Sequence, residues 1–302
     1  MAEGDPLTIA APEVAAGRAA GVRRRPHALA RFVRRQPLGM AGLTLIVLQA
    51  LIAIFASWVA PYNPVANDFG AMLQPPSGTH WFGTDAFGRD VLSRIIFGAR
   101  TALLVGFGAS LIGSTLGAMI GVASAYFGGK IDLFVQRLVD IMISFPIIIL
   151  AMAIVAFIGT GAEKLVVAIA LSFIPRVERV VRGSALAVRA MTYVEAAQAI
   201  GSGHWRIIFR HMAPNVAAPY LVMVTAFLGQ AILLEASLSF LGLGVSEPTP
   251  AWGLMLRGAA VDFATRAPWM AIFPGLAITT TVLTFNVLGD ALRDALDPRL
   301  RT

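Results

Sequence analysis

A polar stretch at residues 193–215, YVEAAQAIGSGHWRIIFRHMAPN, lies between two long apolar segments. It carries Glu195, His204, Arg206 and Arg210, and it also contains runs of helix-forming residues. A connection that is short, basic and able to form helices does not look like a simple linker. We interpret the stretch as a docking surface for a soluble partner on the cytoplasmic side of a membrane.

The sequence lacks the motifs of common nucleotide and metal sites. Gly129-Lys130 lacks both the glycine five residues before Gly129 and the following hydroxyl residue of a phosphate-binding loop. There is no HExxH motif and no cysteine. We therefore expect a non-enzymatic chain that binds no cofactor or metal of its own. An intramembrane Ser–His pair is also disfavoured, because the histidines fall in tails or loops: His27, His80, His204 and His211.

One carboxylate interrupts an apolar run, Glu235 in AILLEASLSFLGLG. A charge within a membrane is costly, so such a residue is a functional candidate by default. Glu235 could line a substrate path or pair with a cation from another helix or subunit. The alternative is a hydrogen-bonded structural glutamate near the outer interface. A self-powered carrier would require more groups of this kind.

The composition places these residues in a membrane protein. Apolar residues make up 57% of the 302 residues and charged residues 14%, whereas soluble domains are about half apolar and about a quarter charged. The net charge of +7 comes with basic residues in loops and in the N-terminal arm. No basic patch with interleaved aromatic residues is present, so we expect no nucleic-acid partner.

Apolar segments separated by polar loops predict an all-α integral membrane protein with six transmembrane helices. After the first span, the other five are expected at about 99–127, 132–158, 164–181, 215–241 and 269–288. The predicted parts are a basic N-terminal tail (1–38), a first span (39–60), an external loop (61–98), a five-helix core (99–290) with a cytoplasmic loop (183–214), and a C-terminal tail (291–302).

The distribution of basic residues predicts the orientation. The face that holds both termini and the loop 183–214 carries roughly three times as many Lys and Arg residues as the other face, which makes it the cytoplasmic one. The sequence thus predicts a multi-pass protein of the cytoplasmic (inner) membrane with both termini inside. The basic end of the tail could also lie on anionic lipid.

Glycine and proline predict packing within the spans. Gly113, Gly117 and Gly121 recur every four residues on one helical face, a spacing that allows close approach of helix backbones in lipid. Pro146 is expected to kink the third span.

The polar stretch itself should form two short helices. Thr192 and Glu195 have the spacing of a capping box, and Gly201 suits a helix stop, which predicts a helix over Tyr193–Ile200. A continuous helix over Ser184–Ile200 is an alternative. The exposed face should be Tyr193, Ala196, Ala197 and Ile200. A second helix, His204–Met212, should pack Trp205, Ile208, Phe209 and Met212 against the membrane domain, and Pro214 should start the fifth span.

Several ordered motifs resemble one family. Glu195, Ala196, Ala197 and Gly201, followed by His211, Pro214 and Asn215, resemble the EAA loop of ATP-binding-cassette importer permeases. The chain over about 39–301 is similar to C-type permeases of dipeptide, oligopeptide and nickel importers. Ala213 departs mildly from the aliphatic residue common there. The other similar segments are Trp81–Arg100, Glu235–Gly244, Pro248–Gly253 and Leu288–Leu300.

The resemblance implies a type I importer permease fold within a complex. The partners would be a B-type permease, two cytoplasmic ATPases that hold ATP and Mg²⁺, and an external substrate-binding protein. Residues of the loop 183–214 would couple to the ATPases: Tyr193, Glu195, Ala196, Ala197, Gly201, His211 and Pro214.

The loop around Trp81 would face the binding protein. Asp85, Arg89 and Asp90 could make polar contacts with that protein, or they could pin the loop internally through salt bridges.

The function implied by the resemblance is import of dipeptides and oligopeptides. Two alternatives remain: the same scaffold carrying nickel-chelate, glutathione or another small solute, and a non-transport membrane scaffold or receptor subunit.

Overall fold

The structure is a computed structural model that describes residues 37–263 and 265–296. Most of the predicted N-terminal tail, and the end of the C-terminal tail beyond residue 296, lie outside these residues. Within the described part, the regular structure is helical apart from one isolated bridge between Thr84 and Asp90. The all-α prediction agrees with this architecture.

Eleven α-helices organise the described residues. A π-helical turn, Ile207–Met212, and a 3₁₀ turn, Ala213–Val216, join α8 to α9. The helices are α1 Pro37–Ile54, α2 Ala56–Val59, α3 Val91–Phe127, α4 Gly129–Ile143, α5 Ile147–Ile158, α6 Ala162–Arg189, α7 Thr192–Ala199, α8 His204–Arg206, α9 Ala217–Phe240, α10 Trp252–Asp262 and α11 Trp269–Leu296.

Length and composition identify fewer spans among the described residues than the six predicted. Four segments are long and apolar enough to cross a membrane: α1, α3, the run from α8 through α9, and α11. A fifth arises if α4 and α5 count as one broken span. Helix α6 has 28 residues but carries several charges in its second half, among them Arg176, Glu178, Arg179 and Arg182. Helix α6 is therefore long enough to cross a membrane, but its charges exclude it from these candidate spans.

The third predicted span is broken instead of merely kinked. Helix α4 ends at Ile143, α5 restarts at Ile147 after Pro146, and their axes differ by 96°. Pro146 cannot donate a backbone hydrogen bond, and its ring disfavours a helical residue before it. The prediction that the helix bends at Pro146 is therefore confirmed, although the bend is larger than expected.

The predicted glycine face packs directly against α6. A Cβ atom built on Gly113 would lie 2.6 Å from the carbonyl oxygen of Ala170. Gly121 has the same relation to the Glu178 carbonyl oxygen at 2.7 Å. These distances are too short for any side chain, so the glycines let two backbones touch, as the spacing predicts.

Two groups of buried side chains hold the bundle. One joins α3, α5, α6 and α9 and includes the stacked rings of Phe173 and Phe227, whose centroids are 4.2 Å apart. The other joins α1, α3, α10 and α11 around Trp252 and Phe285. The indole nitrogen of Trp252 donates to the Ile95 carbonyl at 3.0 Å. The first group extends down to the polar loop.

Four helices are longer than predicted, among them α6, which covers Ala162–Arg189 and not only about 164–181. Helix α3 begins at Val91, not near residue 99, because the Asp90 carboxylate caps it by accepting from the backbone N–H of Ser93 at 2.8 Å. The fifth span continues a helical run that starts at His204. Helix α11 extends to Leu296, so residues 291–296 of the predicted tail are helical.

Candidate functional site: the polar loop and the charge cluster around Arg94

Helix α7 is a short helix seated on the bundle by one face. Val194 is fully buried and Ala197 is 6% exposed, and both join the hydrophobic group that contains α3 and α6. The outward residues include Glu195 and Ala196, which are exposed. The helix therefore has a fixed inner side and an open outer side.

The predicted exposed face is only partly correct. Ala197 points into the bundle, so it does not belong to a contact surface. Tyr193 and Ile200 are exposed, Ile200 at 82%. The open side thus combines an aromatic ring, a small residue and an aliphatic side chain with the carboxylate of Glu195.

The N-terminal capping box is wrong. The helix already includes Thr192, and Met191 occupies the cap position without any side-chain cap. The Met191 carbonyl accepts from the N–H groups of Val194 at 2.9 Å and Glu195 at 3.3 Å. Glu195 still lies in the first turn, where a negative charge complements the helix dipole.

The predicted stop at Gly201 is confirmed. Gly201 has φ +78°, a conformation that suits glycine. Its N–H donates to the Gln198 carbonyl at 2.9 Å, and the Ser202 N–H donates to the Ala197 carbonyl at 3.0 Å. These two bonds form a Schellman motif, which satisfies the last carbonyls of the helix. The alternative helix over Ser184–Ile200 is excluded by the break after Arg189.

The second part of the loop is helical but differs in register. Ile208 and Met212 are buried as predicted, yet Trp205 and Phe209 are exposed and stack with ring centroids 5.9 Å apart. Ile207, which was not predicted to be inside, is buried. The π turn causes this, because its wider spacing shifts which side chains face the bundle.

His211 and Pro214 lie at the junction with α9. His211 is half-buried, and its ring centroid is 6.3 Å from that of Tyr193. Its carbonyl accepts from the side-chain amide of Asn215 at 2.6 Å. Pro214 is exposed in the 3₁₀ turn, where a missing N–H is tolerated. It therefore lies inside a continuous helical run and does not start the span.

On the other side of the bundle, the loop before α3 is pinned by buried charges. Arg89 donates to Asp85 at 2.6 Å and to Glu247 at 2.7 Å. Asp85 and Arg89 are each 6% exposed and Asp90 is 3% exposed. The prediction that these three residues contact another protein directly is therefore wrong for this conformation. The alternative of internal salt bridges agrees with the geometry.

Arg94 lies at the centre of this cluster and is 1% exposed. Its guanidinium is 3.7 Å from Asp85 and 3.6 Å from Glu247, and it donates to the Pro64 carbonyl at 3.1 Å. Burial disfavours a charged Arg89, but hydrogen bonds and charge attraction from Glu247 and Asp85 outweigh it and raise the pKa of Arg89.

Sequence reasoning missed Glu247 and the role of Arg94. Glu247 is 158 residues from Arg89 in the chain, so no local pattern joins them. A cavity of about 260 Å³ opens beside the cluster and is lined by both arginines and by apolar side chains such as Phe263.

Trp81 is exposed on this loop, whereas His80 of the loop and Trp269 of α11 make hydrogen bonds that hold the loop in place. Trp81 is 70% exposed, so it keeps its candidacy as a partner contact. The indole nitrogen of Trp269 donates to the Thr84 carbonyl at 3.1 Å. Nδ1 of His80 is 3.0 Å from the Asp90 carboxylate. The fold thus fixes the loop and leaves Trp81 at its surface.

Glu235 is buried in α9 and is 1% exposed. The Ser239 hydroxyl donates to its Oε1 at 2.8 Å, while Oε2 has no hydrogen-bond partner. The hydrogen bond from Ser239 agrees with the alternative of a structural glutamate. That alternative does not explain why Oε2 has no hydrogen-bond partner.

A further polar seam between α4 and α6 had no counterpart in the predictions. The Arg182 guanidinium donates twice to Asp132, at 2.6 Å each. Gln136 donates to the buried Glu178 at 2.7 Å, and Arg179 pairs with Asp140. The polar residues of α4 that make these contacts recur every four residues, so that spacing was the available signal. No group of His, Asp or Glu residues that could hold a metal forms among the described side chains.

Comparisons with known proteins assign the family. Residues 113–302 match the family described as binding-protein-dependent transport system inner membrane component, and residues 27–76 match the N-terminal transmembrane domain of oligopeptide transport permease C. Glutathione transport system permease proteins GsiD from Escherichia coli and Shigella boydii are each 42% identical over 281 residues, which cover 93% of this chain and 92% of theirs. The Pectobacterium atrosepticum protein of the same name is 42% identical over 273 residues, 90% of both chains.

A solved structure supports the fold. A chain from a structure titled inward facing conformations of the MetNI methionine ABC transporter aligns with TM-score 0.56 and 18% identity, over 68% of this chain and 96% of that one. Membership of a binding-protein-dependent importer implies an ATPase, a second permease and a binding protein as partners, and it replaces the scaffold or receptor alternative. The chain belongs to the inner-membrane permeases of binding-protein-dependent ABC importers, as a multi-pass, non-catalytic permease of the oligopeptide C type.

Proposed function

We propose that the chain is the C-type permease subunit of an ATP-driven importer whose cargo is glutathione or a peptide of similar size. The identity of 42% to glutathione permeases over nearly the whole chain carries this choice of cargo. It favours the glutathione alternative over general import of dipeptides and oligopeptides. Nickel-chelate and other small solutes remain competing cargoes for the assay below.

The proposed topology has six spans, a type I importer permease fold and both termini in the cytoplasm. In it, α6 is the span that hydropathy alone misses. Its 28 residues extend over about 42 Å, long enough for the hydrocarbon core. Its charged half is paired with α4 through Asp132 and Arg182, and charges paired in this way are tolerated inside a bundle.

The proposed coupling element is α7. Its inner residues Val194 and Ala197 are held by the bundle, and its outer residues are open. A helix anchored on one side can enter a groove of a partner with the other side, in the helix-in-groove mode. Nucleotide binding by that partner would then bias the permease between two states, provided that it favours one of them.

The proposed complex contains a B-type permease, two cytoplasmic ATPases that hold ATP and Mg²⁺, and an external binding protein. Trp81 is the proposed contact with the binding protein, and membrane lipid surrounds the outer helices. Glu195, Ala196, Tyr193 and Ile200 form the proposed contact with an ATPase. Glu235 remains a candidate residue of the substrate path, and the Glu235→Gln substitution described below tests this role.

Uptake by the purified complex in proteoliposomes tests the cargo. We expect ATP-dependent uptake of radiolabelled reduced glutathione, reduced by unlabelled glutathione and less by dipeptides or pentapeptides. Uptake of pentapeptides or nickel with no uptake of glutathione would contradict the cargo, while leaving the permease role intact.

A charge reversal tests the coupling element. Glu195→Lys combined with Gly201→Asp should abolish uptake and stimulation of the ATPase, with membrane insertion unchanged. The matched control is Glu163→Lys, an exposed residue in the first turn of α6. Co-purification with the ATPases and full stimulation in the double variant would show that α7 is not the docking helix.

A further inference from the structure

The last turn of α3 is bonded to chain on both sides of α7. Arg189, which ends α6 before α7, donates from Nη1 to the Ala125 carbonyl at 2.8 Å. His204, which follows α7, shares a hydrogen bond between its Nδ1 and the Tyr126 hydroxyl at 2.7 Å. The two bonded residues of α3, Ala125 and Tyr126, are adjacent in the helix.

The position of Arg189 suits a helix end. A Cβ built on Gly128, the residue that ends α3, would lie 3.0 Å from Nη1 of Arg189. The guanidinium therefore lies against the C-terminus of α3, where unpaired carbonyls carry partial negative charge. Gly128 has φ +64° and leaves the room that this cation occupies.

Apolar packing joins the same three pieces of chain. Tyr126 is 7% exposed and lies in one hydrophobic group with Val188 of α6 and Val194 of α7. Ile207, after His204, belongs to the same group. The two hydrogen bonds thus sit on a packed surface, so their geometry is supported from behind.

We propose that Arg189 and His204 clamp the segment that contains α7 to the C-terminal turn of α3, with Tyr126 as the partner of His204. They act as positioning residues: they make α7 and α3 move as one body. This inference rests on the proposed role of α7 in docking the ATPase. Because α3 continues to the charge cluster around Arg94, a displacement of α7 would be passed to a helix that reaches the opposite side.

The clamp matters because α7 is flanked by two short non-helical joints. Ala190 and Met191 precede it, and Gly201 to Gly203 follow it. Without the hydrogen bonds, a push on α7 would be absorbed by φ and ψ changes at these joints instead of moving α3. Coupling between distant sites can be carried by such a chain of packed and hydrogen-bonded contacts.

Distance measurements by pulsed electron resonance test the clamp in the complete importer complex. The chain has no cysteine, so labels can be placed at Gln198→Cys on α7 and Lys130→Cys beside the end of α3, both exposed. We expect one narrow distance, unchanged between the nucleotide-free and the ATP-trapped complex. In Tyr126→Phe with Arg189→Gln, the narrow distance should be lost.

Controls separate this role from general stability. Arg189→Lys keeps a cationic donor and should retain the narrow distance when Tyr126 is intact. Tyr220→Phe removes a hydroxyl that bonds Thr115 of α3 at 2.9 Å, away from α7, and should change nothing. Tyr126→Phe alone keeps the packed ring, so it guards against misfolding and should broaden the distance partially.

The outcomes distinguish the two proposals. An unchanged narrow distance in the double variant would overturn the clamp alone. A second readout is cross-linking of Gln198→Cys to the ATPase in the otherwise unaltered complex. Absence of that cross-link would overturn the proposed docking role of α7 and, with it, the function assigned to the clamp.

Discussion

Gly117 of α3 and Ile174 of α6 are in backbone contact: a Cβ built on Gly117 would lie 2.8 Å from the Ile174 carbonyl oxygen and 2.8 Å from Cβ of Val177. No side chain separates the two helices at this level. Because the contact involves backbone atoms, a larger residue cannot be accommodated by a rotamer change alone. This tight contact makes a direct test of the glycine face possible.

Gly117→Ala should destabilise the protein, whereas Gly183→Ala should not. Both glycines lie within helices, but a Cβ on Gly183 would meet nothing within 4 Å. The open site should gain about 1 kcal/mol from helix propensity, and the crowded one should lose about 1–3 kcal/mol from overpacking. Thermal unfolding in nanodiscs measures both, and shifts of the same sign would contradict the packing.

The charge cluster around Arg94 should be more sensitive to substitution at its centre than at its edge. Arg94→Met leaves Asp85 and Glu247 with one cation fewer in a buried site, at a cost of about 3–5 kcal/mol. Glu247→Gln should cost less, because that side chain is 48% exposed. Backbone hydrogen exchange of residues 61–90 measures the resulting loss of protection in the loop. Glu163→Gln, at an exposed site, is the control, and equal protection in all three variants would exclude the pinning role.

The turn at Gly201 should accept asparagine but not valine. The φ of +78° costs a β-branched residue about 1–2 kcal/mol, while asparagine tolerates it. Gly201→Val should therefore fray the end of α7 and lower uptake, with Gly201→Asn close to the parent protein. Gly203→Val is the control, since Gly203 has φ −64° and open space around it. Transport assays with equal amounts of each variant measure the effect. Full uptake by Gly201→Val would contradict the role of Gly201 in ending α7.

Glu235→Gln should preserve both folding and uptake. The amide keeps an oxygen that accepts from Ser239, and it removes a charge from a buried site in which Oε2 has no partner. Thermal stability should be equal to or above that of the parent. Ser239→Ala should cost about 1 kcal/mol by leaving the acceptor unpaired. Loss of uptake in folded Glu235→Gln would instead assign the carboxylate to the substrate path.

Local chemistry was predictable from the sequence. Gly201 as a helix stop, Pro146 as a break and the close-packed glycines on α3 each depend on backbone geometry within a few residues, and the structure agrees with all three. The motif around Glu195 placed the chain in a family that the comparisons confirm. These features require no knowledge of distant contacts.

Distant contacts account for the differences. Arg89 with Glu247 joins residues far apart in sequence, and the π turn at Ile207–Met212 changes which side chains face inward. Helix α6 carries charges that a hydropathy test counts in full, although Asp132 of α4 pairs with Arg182, a contact that sequence windows do not see. Local capping rules predict Thr192 as the cap, but the helix begins one residue earlier and includes Thr192.

The helices differ in how they match a lipid bilayer. Helix α3, with 37 residues, is about 55 Å long, far more than the roughly 30 Å of a hydrocarbon core. Changes of a few ångströms in membrane thickness leave its polar ends in water. Helices α1 and α2 follow each other with only Phe55 between them, and the described residues 37–59 together extend about 35 Å. This length is close to that of the hydrocarbon core, so hydrophobic mismatch falls on this pair of helices, and the response of this protein to thicker or thinner lipids is set there and not along its longest helix.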